Sequence, residues 1–412
     1  MALDKNMFNK ISDYAIKWCV LAIVFAAPFS KSISEISISI AIALWAGRKA
    51  INKDVHLKRT DLNIFFAIFV LTALPSLLMS GFLSLSLKAM VTKVLKYVFL
   101  YFVITESMDS KKKLKDVFII ALLSVIVVTT DGFLQHYLTG TDFLRNYPSF
   151  KARLALDPDG FSRGFPTSCF PFPNDLAAWL LLVIFPTSCL AIFDLKKYKI
   201  RPLIWMSSAG IFYLLFLTKA RAAWIGLAFS TVYLALTKRQ LWLIILLVIA
   251  ISAPFVLNME MSRYIFGKAS VTDRIDMWRV GWKIFKDHPI VGNGVNTFFP
   301  HYKEYRTDQW QGQKGSYAHN CYLQMAADVG LIGLSGFLLL IGAHFLSVAR
   351  HIKHISDPFF ANALLGMSTG TFAFLVLAFF DTNLYSLNLA TMFWTAIGLS
   401  QAIIIVCKEK FA

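Results

Sequence analysis

Time after time this chain runs for about 20 residues with hardly a charge, the length a helix needs to cross the roughly 30 Å hydrocarbon core of a bilayer. Such runs fall near 14–29, 32–47, 62–80, 89–105, 115–134, 175–194, 202–218, 222–237, 240–257, 319–348, 359–381 and 386–406. In lipid, a segment must satisfy its own backbone hydrogen bonds, so runs of this kind fold as helices. The 412 residues are 57% hydrophobic and only 16% charged, which excludes an ordinary soluble globule. The expected fold is an all-α integral membrane protein of about twelve transmembrane helices, forming a single polytopic domain over 1–412. The run at 32–47 is the least apolar, holding Glu35 and several serines. No internal repeat or low-complexity segment interrupts the series.

The net charge is +17. In a soluble protein that value would point to nucleic acid. Here it is accounted for by basic loops, with room for an anionic substrate, and no nucleic-acid partner is expected. The segments 48–59, 110–115, 195–201, 237–240 and 349–354 and the C-terminal tail are all rich in Lys and Arg. They are every second connection, which predicts both termini in the cytoplasm and the intervening loops outside. The N-terminal stretch has mixed charge and no convincing cleavage site, so the first span reads as retained. The five cysteines show neither metal spacing nor a C-x-x-C; a Cys169–Cys321 bridge is conceivable but disfavoured.

Two external loops are long, about 135–174 and 258–318, and loops of that size are usually functional. In the second, Met277, Trp278, Gly281, Trp282 and Phe285 recur at helical spacing among Arg274, Arg279, Lys283 and Lys286. That pattern predicts an amphipathic helix on the membrane surface, ended by Pro289. Positive residues outside need a reason. Lys219 and Arg221 occupy a tight external turn, where they either reach for lipid headgroups or bind an anion. Arg274 and Arg279 admit the same two readings, and Arg163 stands in the other loop. Asn174 and Asp175 read as a helix cap. VGNGV, at 291–295, reads as a turn. His288 and His301 share the loop without metal-ligand spacing.

His319 and Asn320 open the run at 319–348. One reading is a polar cap for the free N–H groups of the helix start. The other is chemistry: the positive helix end and neighbouring arginines disfavour imidazolium, and a general base must be neutral. Gly330, Gly333 and Gly336 are expected to let this span pack closely on its neighbours.

The segment HNCYLQMAADVGLIGL fits H-[NSQ]-x9-G-x-x-G, the pattern of the O-antigen ligase family, with His319, Asn320, Gly330 and Gly333 on its fixed positions. RIDMW places Arg274 and Trp278 on an R-x-x-x-W, and HPIVGNGVNTF follows it as in the family's large loop. TKARAAWIG resembles the family's short basic segment, with Arg221 matching, and RGFPTSCFPFPNDLAAWL resembles its stretch before span six. The chain departs from many relatives in carrying Asp328 where they have Glu.

This resemblance implies a GT-C-like glycosyltransferase architecture in the bacterial inner membrane, with the active site facing the periplasm. It implies transfer of a glycan from undecaprenyl diphosphate to a sugar hydroxyl of lipid A-core. His319 would be the catalytic base. Arg221 and Arg274, with Arg279 and Arg163 as weaker candidates, would hold the diphosphate, and Asn320, Lys219 and Trp278 would support the site. Attack opposite the leaving diphosphate would make the reaction inverting, and arginines standing in for a divalent cation would make it metal-independent, with no cofactor. Two alternatives are a polysaccharide polymerase or protein O-oligosaccharyltransferase of the same superfamily, and a lipid-linked glycan transporter. The transporter reading is opposed by the absence of a repeat and by unexplained charges gathered at one face rather than at the bilayer midplane.

Overall fold

The computed structural model describes residues 5–149, 164–193, 200–240, 242–243, 269–305 and 317–408. These residues are overwhelmingly helical, and no β-strand occurs among them. In chain order the helices are α1 (Lys5–Ala26), α2 (Lys31–Asn52), α3 (Asn63–Ala73), α4 (Pro75–Leu78), α5 (Leu83–Ala89) and α6 (Lys96–Ser107), the last two joined by a π-helical segment, Met90–Leu95. Next come α7 (Lys111–Leu134), α8 (Pro173–Phe193), α9 (Arg201–Thr218) and α10 (Arg221–Lys238). They are followed by α11 (Ala269–Asp287), α12 (Phe298–Tyr305), α13 (Cys321–His351), α14 (Pro358–Leu377) and α15 (Leu387–Cys407).

Six of the described helices are long and apolar enough to cross a membrane: α7 with its C-terminal extension to Thr139, α8, α9, α13 with its extension to His354, α14 and α15. A shorter apolar stretch covers Asn63–Leu78. The expected run at 240–257 falls almost wholly outside the described residues. Helix α2 forms despite its polar content, because Glu35 pairs with Lys96 of α6 at 2.7 Å instead of facing lipid. The protein is thus a multi-pass helical membrane protein.

The core centres on α14 and α15, which are the most enclosed of the six. Helix α8 packs most extensively against α14. A methyl group on Gly366 would lie 2.5 Å from Pro186 Cα, and one on Gly370 would lie 2.7 Å from the Leu182 carbonyl oxygen. The G-x-x-x-G of α14 is therefore what lets the two backbones touch.

The two ends of the bundle differ. At one end Lys113 pairs with Asp13 (2.8 Å), Lys17 with Asp116 (2.6 Å) and Lys49 with Glu106 (2.9 Å). His351 lies 3.4 Å from Asp61, and Lys238 donates to Asn362 at the same end. The described basic segments therefore meet there. The opposite end carries the turns after α1, α7, α9 and α14, together with α11 and α12. All five cysteines are free thiols, so the conceivable Cys169–Cys321 bridge is not made.

Candidate functional site

Helix α13 begins where the sequence reading placed it, but the cap and the candidate base are different residues. Asn320 is the N-cap, its Oδ1 accepting from the N–H groups of Tyr322 and Leu323 at 3.0 Å each. His319 sits one residue earlier, in the left-handed region (φ 48°). The Cys321 N–H donates to the Ala378 carbonyl (2.8 Å), docking this helix start on the turn between α14 and α15.

That turn supplies a partner the sequence reading missed. His319 Nδ1 lies 3.4 Å from Asp381 Oδ1, at the long end of hydrogen bonding. The imidazole side chain is 46% exposed and the carboxylate 18%, so the ring is reachable from outside while its partner is sheltered. Asp381 also accepts from the Thr382 N–H (2.8 Å) and from Asn174 Nδ2 (3.1 Å). Burial alone would raise its pKa. The His319 hydrogen bond and charge, the Thr382 N–H and the charge of Arg274 outweigh burial and hold it below the ordinary carboxylate value. Asn174 is thus a strut between α8 and Asp381 rather than a cap. Asp175, beside it, feels the charges of Asp381, Lys31 and His319.

Helix α11 brings up the other residues. Trp278 Nε1 donates to the His319 carbonyl (3.3 Å), and Arg274, one turn earlier on the helix, acts electrostatically on Asp381. The helix was expected to lie on a membrane surface. It packs on α13 and α12, burying Met277, Ile284 and Phe285, with Trp282 left outside at 54% exposure. Arg279 takes the outer side. Its side chain is 74% exposed and pairs with Asp276 at 2.9 Å, apart from the His319 group.

Lys219 holds the left-handed cap of α9 (φ 53°) with its ammonium 5.2 Å over the Phe165 ring, and Arg221 is the first residue of α10. Both are half-buried at the same end of the bundle as His319. Arg163 lies outside the described residues. The structure therefore brings together His319, Asn320, Trp278, Arg274, Asn174 and Asp381.

Below the site, α13 is broken. Gly330 has φ 67° and ψ −176°, a backbone region essentially reserved for glycine. The break frees carbonyls above and N–H groups below, and VGNGV fills it. Asn293 and Gly294 donate N–H groups to the Ala327 and Asp328 carbonyls at 3.1 and 2.8 Å. Leu331 and Ile332 donate to the Pro289 and Ile290 carbonyls at 2.9 and 3.1 Å. Gly330 thus makes a break rather than the close helix packing expected of it. Gly336 does make such an approach, with space for no more than hydrogen against Thr72. Asp328 is buried, accepting from the Phe298 N–H and the Tyr385 hydroxyl at 3.1 Å each.

Fold and site define the class: a multi-pass membrane protein whose polar and cationic residues converge on one histidine at one end of the bundle. A family model described as O-antigen ligase matches residues 206–338, a span that includes Arg221, Arg274, Trp278, His319 and Gly330. Over that segment, about a third of the chain, the protein is similar to the O-antigen ligase family. No curated protein matches it significantly.

Proposed function

We propose that the protein is an inverting glycosyltransferase that moves a glycan from undecaprenyl diphosphate to a sugar hydroxyl of lipid A-core. It does so at the periplasmic face of the bacterial inner membrane, within a twelve-span, GT-C-like bundle. The observation that carries this reading is the His319–Asp381 pair with Arg274 in electrostatic reach. A carboxylate accepting from Nδ1–H fixes the tautomer in which Nε2 carries a lone pair. Nε2 then takes the proton of the acceptor hydroxyl as its oxygen bonds to C1 of the donor sugar. The C1–O bond to the diphosphate breaks on the opposite face, and its electron pair leaves with the diphosphate. Arg274 and Arg221 stabilise the charge that develops there. Arg279, Arg163 and Lys219 are secondary candidates for the diphosphate, while Asn320 and Trp278 hold the backbone at His319.

The test is transfer by the purified chain in detergent, given an undecaprenyl-diphosphate glycan and lipid A-core, with EDTA present. Asp157 and Asp159 form a D-x-D in the first long outer loop, outside the described residues, so the EDTA arm also tests metal independence. Glycosylated lipid A-core is expected from the wild type, falling roughly 100- to 10,000-fold in His319→Ala. Elongated lipid-linked glycan in its place would make the protein a polymerase. Unchanged turnover in His319→Ala would remove the mechanism.

A further inference from the structure

Beside the His319 group, at the same end of the bundle, lies a cavity of about 260 Å³ lined by Leu85, Asn296, Phe298, Phe299, Pro300, Tyr317 and Gln324. We propose that it is a subsite for one neutral pyranose unit of a substrate glycan. The proposal rests on the transferase reading above for the word substrate; the binding it asserts stands by itself.

Three observations carry it. The first is size. Pockets for drug-sized ligands run from about 300 to 1,000 Å³, so this one suits a single small ring rather than a long glycan. The second is chemistry. Phe299 and Tyr317 are 44% and 36% exposed, presenting aromatic surface. Asn296 and Gln324 contribute amides to the wall, and none of the described lining residues is charged. Gln324 is fully withdrawn from solvent, with Oε1 accepting the Ala318 N–H (3.0 Å) and Nε2 lacking a partner among the described residues. A buried amide donor left unpaired costs free energy unless something outside the chain meets it. Aromatic faces with neutral amides suit a ligand that has apolar ring faces and hydroxyl edges. Of the ammonium groups around the cavity, Lys93 is turned to Asn296 Oδ1 (2.8 Å) and lies close to the Asp328 carboxyl, and Lys303 holds its charge 4.9 Å over the Phe299 ring.

The third observation is position. Tyr317 is two residues from His319, so their Cα atoms are no more than about 7 Å apart. A ring held against Tyr317 is therefore next to a ring reacting at His319. Gln324 braces the same stretch of chain through the Ala318 N–H, so occupancy of the cavity and placement of His319 are linked through a single backbone segment.

The experiment is saturation-transfer NMR on the full chain in nanodiscs, with the methyl pyranosides of glucose, galactose and N-acetylglucosamine as probes. At least one should receive saturation. Affinity should fall on the order of tenfold, or about 1.4 kcal/mol, in Tyr317→Ala and in Phe299→Ala. Trp282→Ala, an exposed aromatic on the same face outside the cavity, should bind as the wild type does. So should His319→Ala. Saturation of none of the probes, or equal saturation in the two cavity variants, overturns the assignment. Because His319→Ala is expected to lose transfer and keep binding, failure of the transferase reading and failure of this one give different results.

Discussion

At the scale of single residues, the decisive contact is between positions 62 apart in sequence, His319 and Asp381. Replacing the acid by Asn keeps its shape but removes its charge and permits the wrong imidazole tautomer. Asp381→Asn should lower turnover at least about tenfold, and by as much as roughly 10⁴-fold where such an acid governs a base, with donor KM little changed. Steady-state kinetics against both substrates would check this; a rise in KM alone would make Asp381 a binding residue. The same variant has a stability signature. Asp381 is held below the ordinary carboxylate value, near 3.9, so its stabilising contribution is complete above that pH. It is lost as pH falls through the lower folded value. The difference in unfolding temperature between wild type and Asp381→Asn should be present at about pH 5 and shrink below about pH 4. His319, Asn320, Arg274 and Trp278 were legible in the sequence because each belongs to a fixed local spacing. Asp381 was not, since the expected span ran on to 381 and absorbed it. A lone acid in FFDTNLY, at the outer end of an apolar run, was the available signal.

Among elements, the broken helix α13 shows how far periodicity reaches. The apolar pattern gave the helix and its start, because burial follows a 3.6-residue repeat whether or not the backbone is continuous. It could not give the break, because a glycine in a helix pattern reads equally as a packing contact. What decides is the VGNGV segment, whose backbone takes over the broken hydrogen bonds. A methyl group at Gly330 would sit 2.2 Å from the Ile290 carbonyl oxygen, and one at Gly292 would sit 2.4 Å from that of Asp328. Gly330→Ala and Gly292→Ala should each destabilise by at least about 1–3 kcal/mol from backbone strain alone. Since the two share one contact, the double variant should cost less than the sum. Gly342→Ala, with nothing within 4 Å of its added methyl, should be neutral or gain up to about 1 kcal/mol of helix propensity. Thermal unfolding in one detergent compares all four; equal stability at 330 and 342 would contradict the break. Helix α11 teaches a related lesson. Its amphipathic pattern was legible, but an apolar stripe does not say whether lipid or protein covers it, and here α12 and α13 cover part of it.

On the scale of the whole molecule, hydropathy and loop charge describe different things. Hydropathy finds six long described spans, because the rest of the bundle is short, like α3, or carries polar groups matched inside the protein, as Glu35 is by Lys96. Loop charge needs no such threshold. The described basic segments gather at one end through the ion pairs of Lys113, Lys49 and Lys17, and His319 gathers its partners at the other. Positive loops resist translocation, so the basic end should be cytoplasmic and the His319 end periplasmic. Val55 is 87% exposed at the first end, and Tyr147 is 50% exposed at the second. The natural cysteines give little background, four of the five being buried. In cells with only the outer membrane permeabilised, a membrane-impermeant maleimide should label Tyr147→Cys at once and Val55→Cys only after the inner membrane is opened. The opposite pattern would put His319 in the cytoplasm. A donor glycan presented on the periplasmic side could not then reach the imidazole, and the transferase reading would fail on geography whatever the chemistry of the site.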